Sequence, residues 1–101
     1  MKFIYTECRF ITQAEKIATA LVRKKLAACV NWWPVESLYQ WKSKMHRHRE
    51  VALLCKTTDG LVNEARRYLL RIHPYKQPVI AVWPAAKINT SAVNWLRQEL
   101  R

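Results

Sequence analysis

The residues of this chain best suited to chemistry near neutral pH stand in a few short segments. In His73-Pro74-Tyr75-Lys76-Gln77-Pro78 an imidazole and a phenol bracket a proline, and a second proline follows. Proline fixes φ and pushes its predecessor toward extended geometry, so the segment reads as a stiff turn at the entrance of the strand that opens at Val79. Imidazole ligates metals and moves protons in this pH range. That makes His73 the first candidate metal ligand, with Cys8 and Cys29 as soft partners. Free cysteine is among the most buried residue types, so Cys29 reads more readily as a small core hydrophobe. His46-Arg47-His48 offers a second pair, because residues two apart on a strand share a face. Arg47 and Arg49 oppose a cation there. Two solvated histidines in a basic hairpin are the simpler reading.

Enzymatic chemistry has little support. The chain shows no nucleophile elbow, no phosphate-binding glycine loop and no paired carboxylates. With only seven acidic residues, acid–base candidates are scarce. A cysteine–histidine nucleophile pair would also need an orienting third group and an oxyanion hole. We expect a protein that is not an enzyme and has no catalytic residues.

The elements that must position these side chains alternate along the chain. Phe3 to Thr6 reads as a short strand. Ala14, Ile17, Ala18, Leu21 and Val22 recur at helical spacing, with Thr12 as N-cap and Glu15 as its capping-box partner. Ala28 to Trp33 reads as a strand that Pro34 interrupts or bends, and Ser37 to Trp41 continues extended before a turn at Lys42-Ser43-Lys44. Glu50 to Thr57 is a further strand, ended by Asp59 and Gly60, the only glycine. Leu61, Val62, Ala65, Tyr68, Leu69 and Ile72 form a second helical stripe, Val79 to Trp83 a last strand stopped by Pro84. Asn89-Thr90-Ser91 opens a final helix that buries or half-buries Ala92, Trp95, Leu96 and Leu100. The order βαββαβα predicts helices on one face of an antiparallel sheet, a ferredoxin-like α+β sandwich with an extra C-terminal helix and a long β-hairpin. We expect a single domain over residues 1–101.

At this length a chain buries roughly two-thirds of its unfolded surface. Three cysteines, with no CxxC pair, argue against a disulfide framework and for a reducing compartment. No long apolar run opens the chain or crosses a membrane, so we expect a cytoplasmic protein without a membrane partner. The middle hairpin, Ala28 to Thr57, is longer than one small sheet requires. Its Trp32, Tyr39 and Trp41 suit a contact between subunits. The net charge of +11 is concentrated at Lys42, Lys44, Arg47 and Arg49 and at Arg66, Arg67 and Arg71. Such a surface attracts polyanions, and phosphate contact through these cations is the alternative reading. The strand order is also that of an RRM, but the glycine-bearing aromatic signature is absent, since Glu50 to Cys55 is largely aliphatic.

Taken in order, several segments resemble the CutA family of divalent-cation-tolerance proteins. They are Leu26-Ala27-Ala28-Cys29-Val30-Asn31, then Pro34, Ser37, Tyr39 and Trp41, then Lys56-Thr57-Thr58, then His73-Pro74-Tyr75 with Pro78, and last Trp95-Leu96. The resemblance implies a tight, PII-like homotrimer joined through its long hairpins, and a non-enzymatic role in tolerance of copper or another divalent metal. From the resemblance combined with the residue chemistry, we place a site in a cleft between subunits, with His73 and Cys8 as metal ligands and Tyr75, Cys29 and Lys56 on the cleft wall. The chain also departs from the family. Val79 stands where members usually carry a glutamate, and Tyr5 where some carry a copper-binding cysteine. Val35 and Ser43 replace usual glycines.

Overall fold

The computed structural model describes residues 1–100. Their order is β1 (Lys2–Cys8), α1 (Ile11–Arg23), β2 (Cys29–Trp41), β3 (Lys44–Thr57), α2 (Val62–Ile72), β4 (Ile80–Pro84) and α3 (Thr90–Glu99). The four strands form one antiparallel sheet in the order β2-β3-β1-β4. This is the expected ferredoxin-like α+β arrangement. α1 and α2 pack on one face, where Ile4, Cys8, Leu53 and Cys55 meet Ile17, Leu21 and Leu69 in the core. α3 lies near Met1 and Asp59 and buries Leu96 alone, leaving Trp95 exposed rather than half-buried.

Two local expectations are corrected. Thr12 does not cap α1, which starts one residue earlier. Instead the Gln13 side-chain oxygen accepts the backbone N–H groups of Arg9 and Phe10 at 3.0 and 3.2 Å, satisfying donors just before the first turn. Nor does Pro34 interrupt β2. β2 is an edge strand, and Pro34 keeps its place opposite Val51. A proline is tolerated there because its missing donor costs no ladder bond on the open side.

The chain's one glycine is not where the backbone needs one. Left-handed backbone falls instead at Lys25 (φ 56°), Lys42 (49°) and Ser43 (65°). Lys42 and Ser43 form the two-residue loop of the β2–β3 hairpin, where both central residues require positive φ. Lys25 ends α1: Leu26 N–H donates to the Leu21 carbonyl and Lys25 N–H to that of Val22, a Schellman closure without glycine.

β1 ends its pairing with β3 at Cys8 opposite Val51. Beyond that point β2 and β3 pair only with each other, from Val35–Glu50 out to Trp41–Lys44. The result is a two-stranded arm of about 20 Å at the usual strand rise, and the molecule is accordingly 47 Å long but only 26 by 21 Å across.

Candidate functional site

At the base of the arm lies a cleft of about 550 Å³, lined by Glu7, Tyr39, Trp41, His48, Glu50 and Tyr75, with Arg9, Gln77 and Val79 at its margin. Strand periodicity builds most of it. Glu7, His48 and Glu50 project from the sheet face turned away from the helices, as do Tyr39 and Trp41 from β2. The proline turn after α2 supplies the remaining wall. Its Tyr75 hydroxyl donates to Glu50 Oε2 at 2.6 Å, tying the turn to the hairpin. Tyr5 donates in the same way to Glu7 at 2.7 Å. Burial raises both phenol pKa values, with the adjacent carboxylates adding to the effect, and Tyr5 is pushed up to about 12. Both tyrosines therefore remain neutral donors throughout the physiological range.

His73 shapes this wall from behind. It ends α2, is 8 % exposed, and has both ring nitrogens engaged. Nδ1 accepts the Tyr75 backbone N–H at 3.0 Å, so Nε2 carries the proton and donates to Thr6 Oγ1 at 2.9 Å. Burial lowers its pKa, which a backbone hydrogen bond at Glu7 partly offsets. Its ring stands 5.2 Å from that of Tyr75. The arrangement fixes where Tyr75 points and leaves no lone pair free for a metal.

Cys8 also faces inward. It is fully buried, its thiol reaches the Phe10 carbonyl at 3.6 Å, and burial raises its pKa. It does not stand in for the thiol missing at Tyr5, because an odd separation along a strand puts the two side chains on opposite faces. Within one protomer, then, His73 and Cys8 do not fit a metal. Among the described residues no group of three histidine, cysteine or acidic side chains is positioned to hold an ion.

The other expected wall residues lie apart from Tyr75. Cys29 pairs with Lys56, six positions along β3 from Glu50, or about 20 Å at the usual rise. Inside one protomer they share no cleft with Tyr75. Tyr39 and Trp41 do line the cleft, at 44 % and 58 % exposure. Trp32, in contrast, points to the helix side of the sheet. Its neighbour Trp33 faces the open side beside Tyr5, with Trp83 and Phe3 continuing that aromatic row.

Sequence reasoning passed over Glu7 and Glu50, the two carboxylates of the cleft. Period-two spacing in His46-x-His48-x-Glu50 was the signal that could have found Glu50. The arm cations do not form one patch. Lys42 and Lys44 sit at the tip, while Arg47 and Arg49 lean on Glu36 at 2.9 and 4.0 Å on the other face. Arg66 and Arg67 are exposed on α2.

Comparison with known proteins places this geometry. The family profile described as CutA1 divalent ion tolerance protein matches residues 2–99. The divalent-cation tolerance protein CutA of Archaeoglobus fulgidus is 34% identical over 94 residues, covering 93% of this chain and 92% of that protein. Human Protein CutA is 37% identical over 86 residues, or 84% of this chain, which spans only 48% of the human protein. The crystal structure of the divalent ion tolerance protein CutA1 from Ehrlichia chaffeensis superposes with a TM-score of 0.96 at 30% identity, over 99% of this chain and 94% of that one. With the family profile matching residues 2–99 and the fold superposing over nearly the whole length, the chain belongs to the CutA1 divalent ion tolerance family.

Proposed function

We propose that this protein acts without catalysis in divalent-metal tolerance, as a homotrimer whose ligand cleft is completed where one protomer's arm meets its neighbour. The observation that carries this reading is the arm itself. An isolated two-stranded hairpin is marginal in water, yet here it extends past the sheet with Tyr39 and Trp41 44 and 58 % exposed on the open face and Leu38 and Met45 66 and 70 % exposed on the other. The aromatic row Trp33, Tyr5, Trp83 and Phe3 continues the face of Tyr39 and Trp41. Family membership supports the metal role, and the three free thiols suit a reducing, cytoplasmic setting.

Within one protomer Glu7, Glu50 and His48 do not form an ion site, so copper or another divalent ion at this cleft would need groups from the neighbouring protomer beside them, because His73 and Cys8 are turned inward. Val79, in place of the usual glutamate, removes one further carboxylate from the cleft mouth. Light scattering should report a trimer for the wild-type protein and a monomer for Trp41→Glu; a trimeric Trp41→Glu would overturn the interface. Calorimetric titration with Cu²⁺ should show Glu50→Gln weakening binding about tenfold, and His73→Ala, which acts only through the position of Tyr75 beside Glu50, weakening it less. The reverse pattern would return the ion to His73.

A further inference from the structure

The helix layer carries a second groove, of about 620 Å³, between the C-terminal end of α1 and the exposed side of α2. Lys24, Arg67 and Arg71 line it around Tyr68, with Glu64 as its one carboxylate. None of the three cations lies within 4.0 Å of a carboxylate among the described residues. Two are held in place by the phenol: Lys24 Nζ stands 4.8 Å from the Tyr68 ring centre, and the Arg71 guanidinium 5.5 Å. Arg67 and Arg71 are one helical turn apart, a spacing at which like charges destabilise a helix. A basic residue at each helix C-terminus is accounted for by the helix dipole; Arg67 lies inside α2 three residues after Glu64, is not within ion-pair distance of it, and lines the groove with two other cations.

We infer that this groove binds a small oligophosphate anion, a run of consecutive phosphates carried by a nucleotide or present as free polyphosphate. Three features favour it. The volume suits a small molecule. Two guanidinium groups and one ammonium match several phosphate oxygens, the arginines in bidentate fashion. Tyr68 already orders two of the cations, so little side-chain freedom remains to be lost on binding. With Lys24 and Arg71 already against its ring, Tyr68 is a poorer platform for stacking a base, which speaks for the phosphate chain over a nucleic acid strand. The groove lies on the opposite side of the sheet from the face proposed for association, so trimer formation leaves it open.

The test is calorimetric titration of the intact protein with inorganic tripolyphosphate, adenosine triphosphate and adenosine. Both phosphates should bind once per chain and compete, while adenosine does not bind. Arg67→Gln and Arg71→Gln should each weaken tripolyphosphate by about tenfold. The arm variant Lys42→Gln/Lys44→Gln should stay within about twofold. Equal weakening by arm and groove variants, or no binding of either phosphate at 150 mM salt, would overturn the proposal. So would a single-stranded RNA oligomer that binds more tightly than tripolyphosphate with a steep salt dependence, which would make the groove part of a nucleic acid surface. Circular dichroism of the exposed-site variants separates lost binding from lost folding. The groove reading also stands apart from the metal cleft, since Glu50→Gln should leave tripolyphosphate binding unchanged.

Discussion

Along β1, Ile4, Thr6 and Cys8 point at the helices with no exposure, while Phe3, Tyr5 and Glu7 alternate with them on the other face beside tryptophans 40 and 41 % exposed. The same strands thus carry one face closed by their own chain and one face left open. The closed face holds small and branched side chains that interlock with α1 and α2. The open face holds large rings, two carboxylates with tyrosine donors, and the arm. Burial alone explains the first face. Burial within one chain does not explain the aromatic area of the second, because a monomer gains little from rings it leaves in water; the proposed association would cover it.

The sharpest way to break this contrast is to truncate one residue on each side. Leu53 is fully buried on the closed face, so Leu53→Ala should cost about 2–5 kcal/mol in urea unfolding, from lost transfer energy and the cavity left behind. Trp33→Ala, on the open face, should cost about 0.5 kcal/mol or less when measured on dilute monomer. It should instead lower the thermal midpoint of concentrated protein, whose stability is linked to assembly. Equal losses in dilute monomer would mean that the open face is a second core and not an interface.

How far the sequence carried each face follows from the same physics. Period-two alternation and helical stripes were sufficient for the closed side, because burial selects residue type position by position. Strand order, helix positions and the arm follow from them. Pro34 was misread because a proline's effect depends on whether its strand is an edge, which is a tertiary fact. Trp32 and Trp33 could not be sorted to their faces without a register. In the cleft, Tyr75 was expected on the wall, whereas Tyr39 and Trp41 were expected at a subunit contact and the structure puts them on the cleft as well. Glu7 and Glu50 were not legible, since nothing local shows that a turn 25 residues away will donate to Glu50. His73 was noticed for the right reason, its chemistry, and its hydrogen bonds turn that chemistry to positioning.

His73 sits at the seam between the two faces, with Thr6 on the closed side and Tyr75 on the open one. His73→Ala leaves a buried Thr6 hydroxyl and the Tyr75 N–H without their partner, and should cost about 1–3 kcal/mol. The pH dependence gives the sign. The folded pKa is lowered from 6.5 by burial, so the neutral ring stabilises the fold fully above the unfolded value. That stability falls away as the pH drops below 6.5 toward the folded value, where the unfolded chain takes up the proton first. Wild-type unfolding free energy should therefore drop more between pH 7.5 and 5.5 than that of His73→Ala. Parallel profiles would mean that the ring is not held neutral.

The smallest effect expected lies at Lys25, where the closed face pays a backbone penalty that an open loop would not need. A non-glycine residue in left-handed geometry costs about 1 kcal/mol, and Lys25 holds φ 56° to let Leu26 turn back into the core at 4 % exposure. Lys25→Gly relieves that strain but adds freedom to the unfolded chain, so the net gain should be about 0.5 kcal/mol. The lysine side chain is exposed and outside the Lys24–Arg67–Arg71 groove, so tripolyphosphate binding should hold steady while the urea midpoint rises. A falling midpoint would show that the α1 terminus is set by the charge of Lys25 against the helix dipole, and that the left-handed closure is incidental to how the chain enters β2.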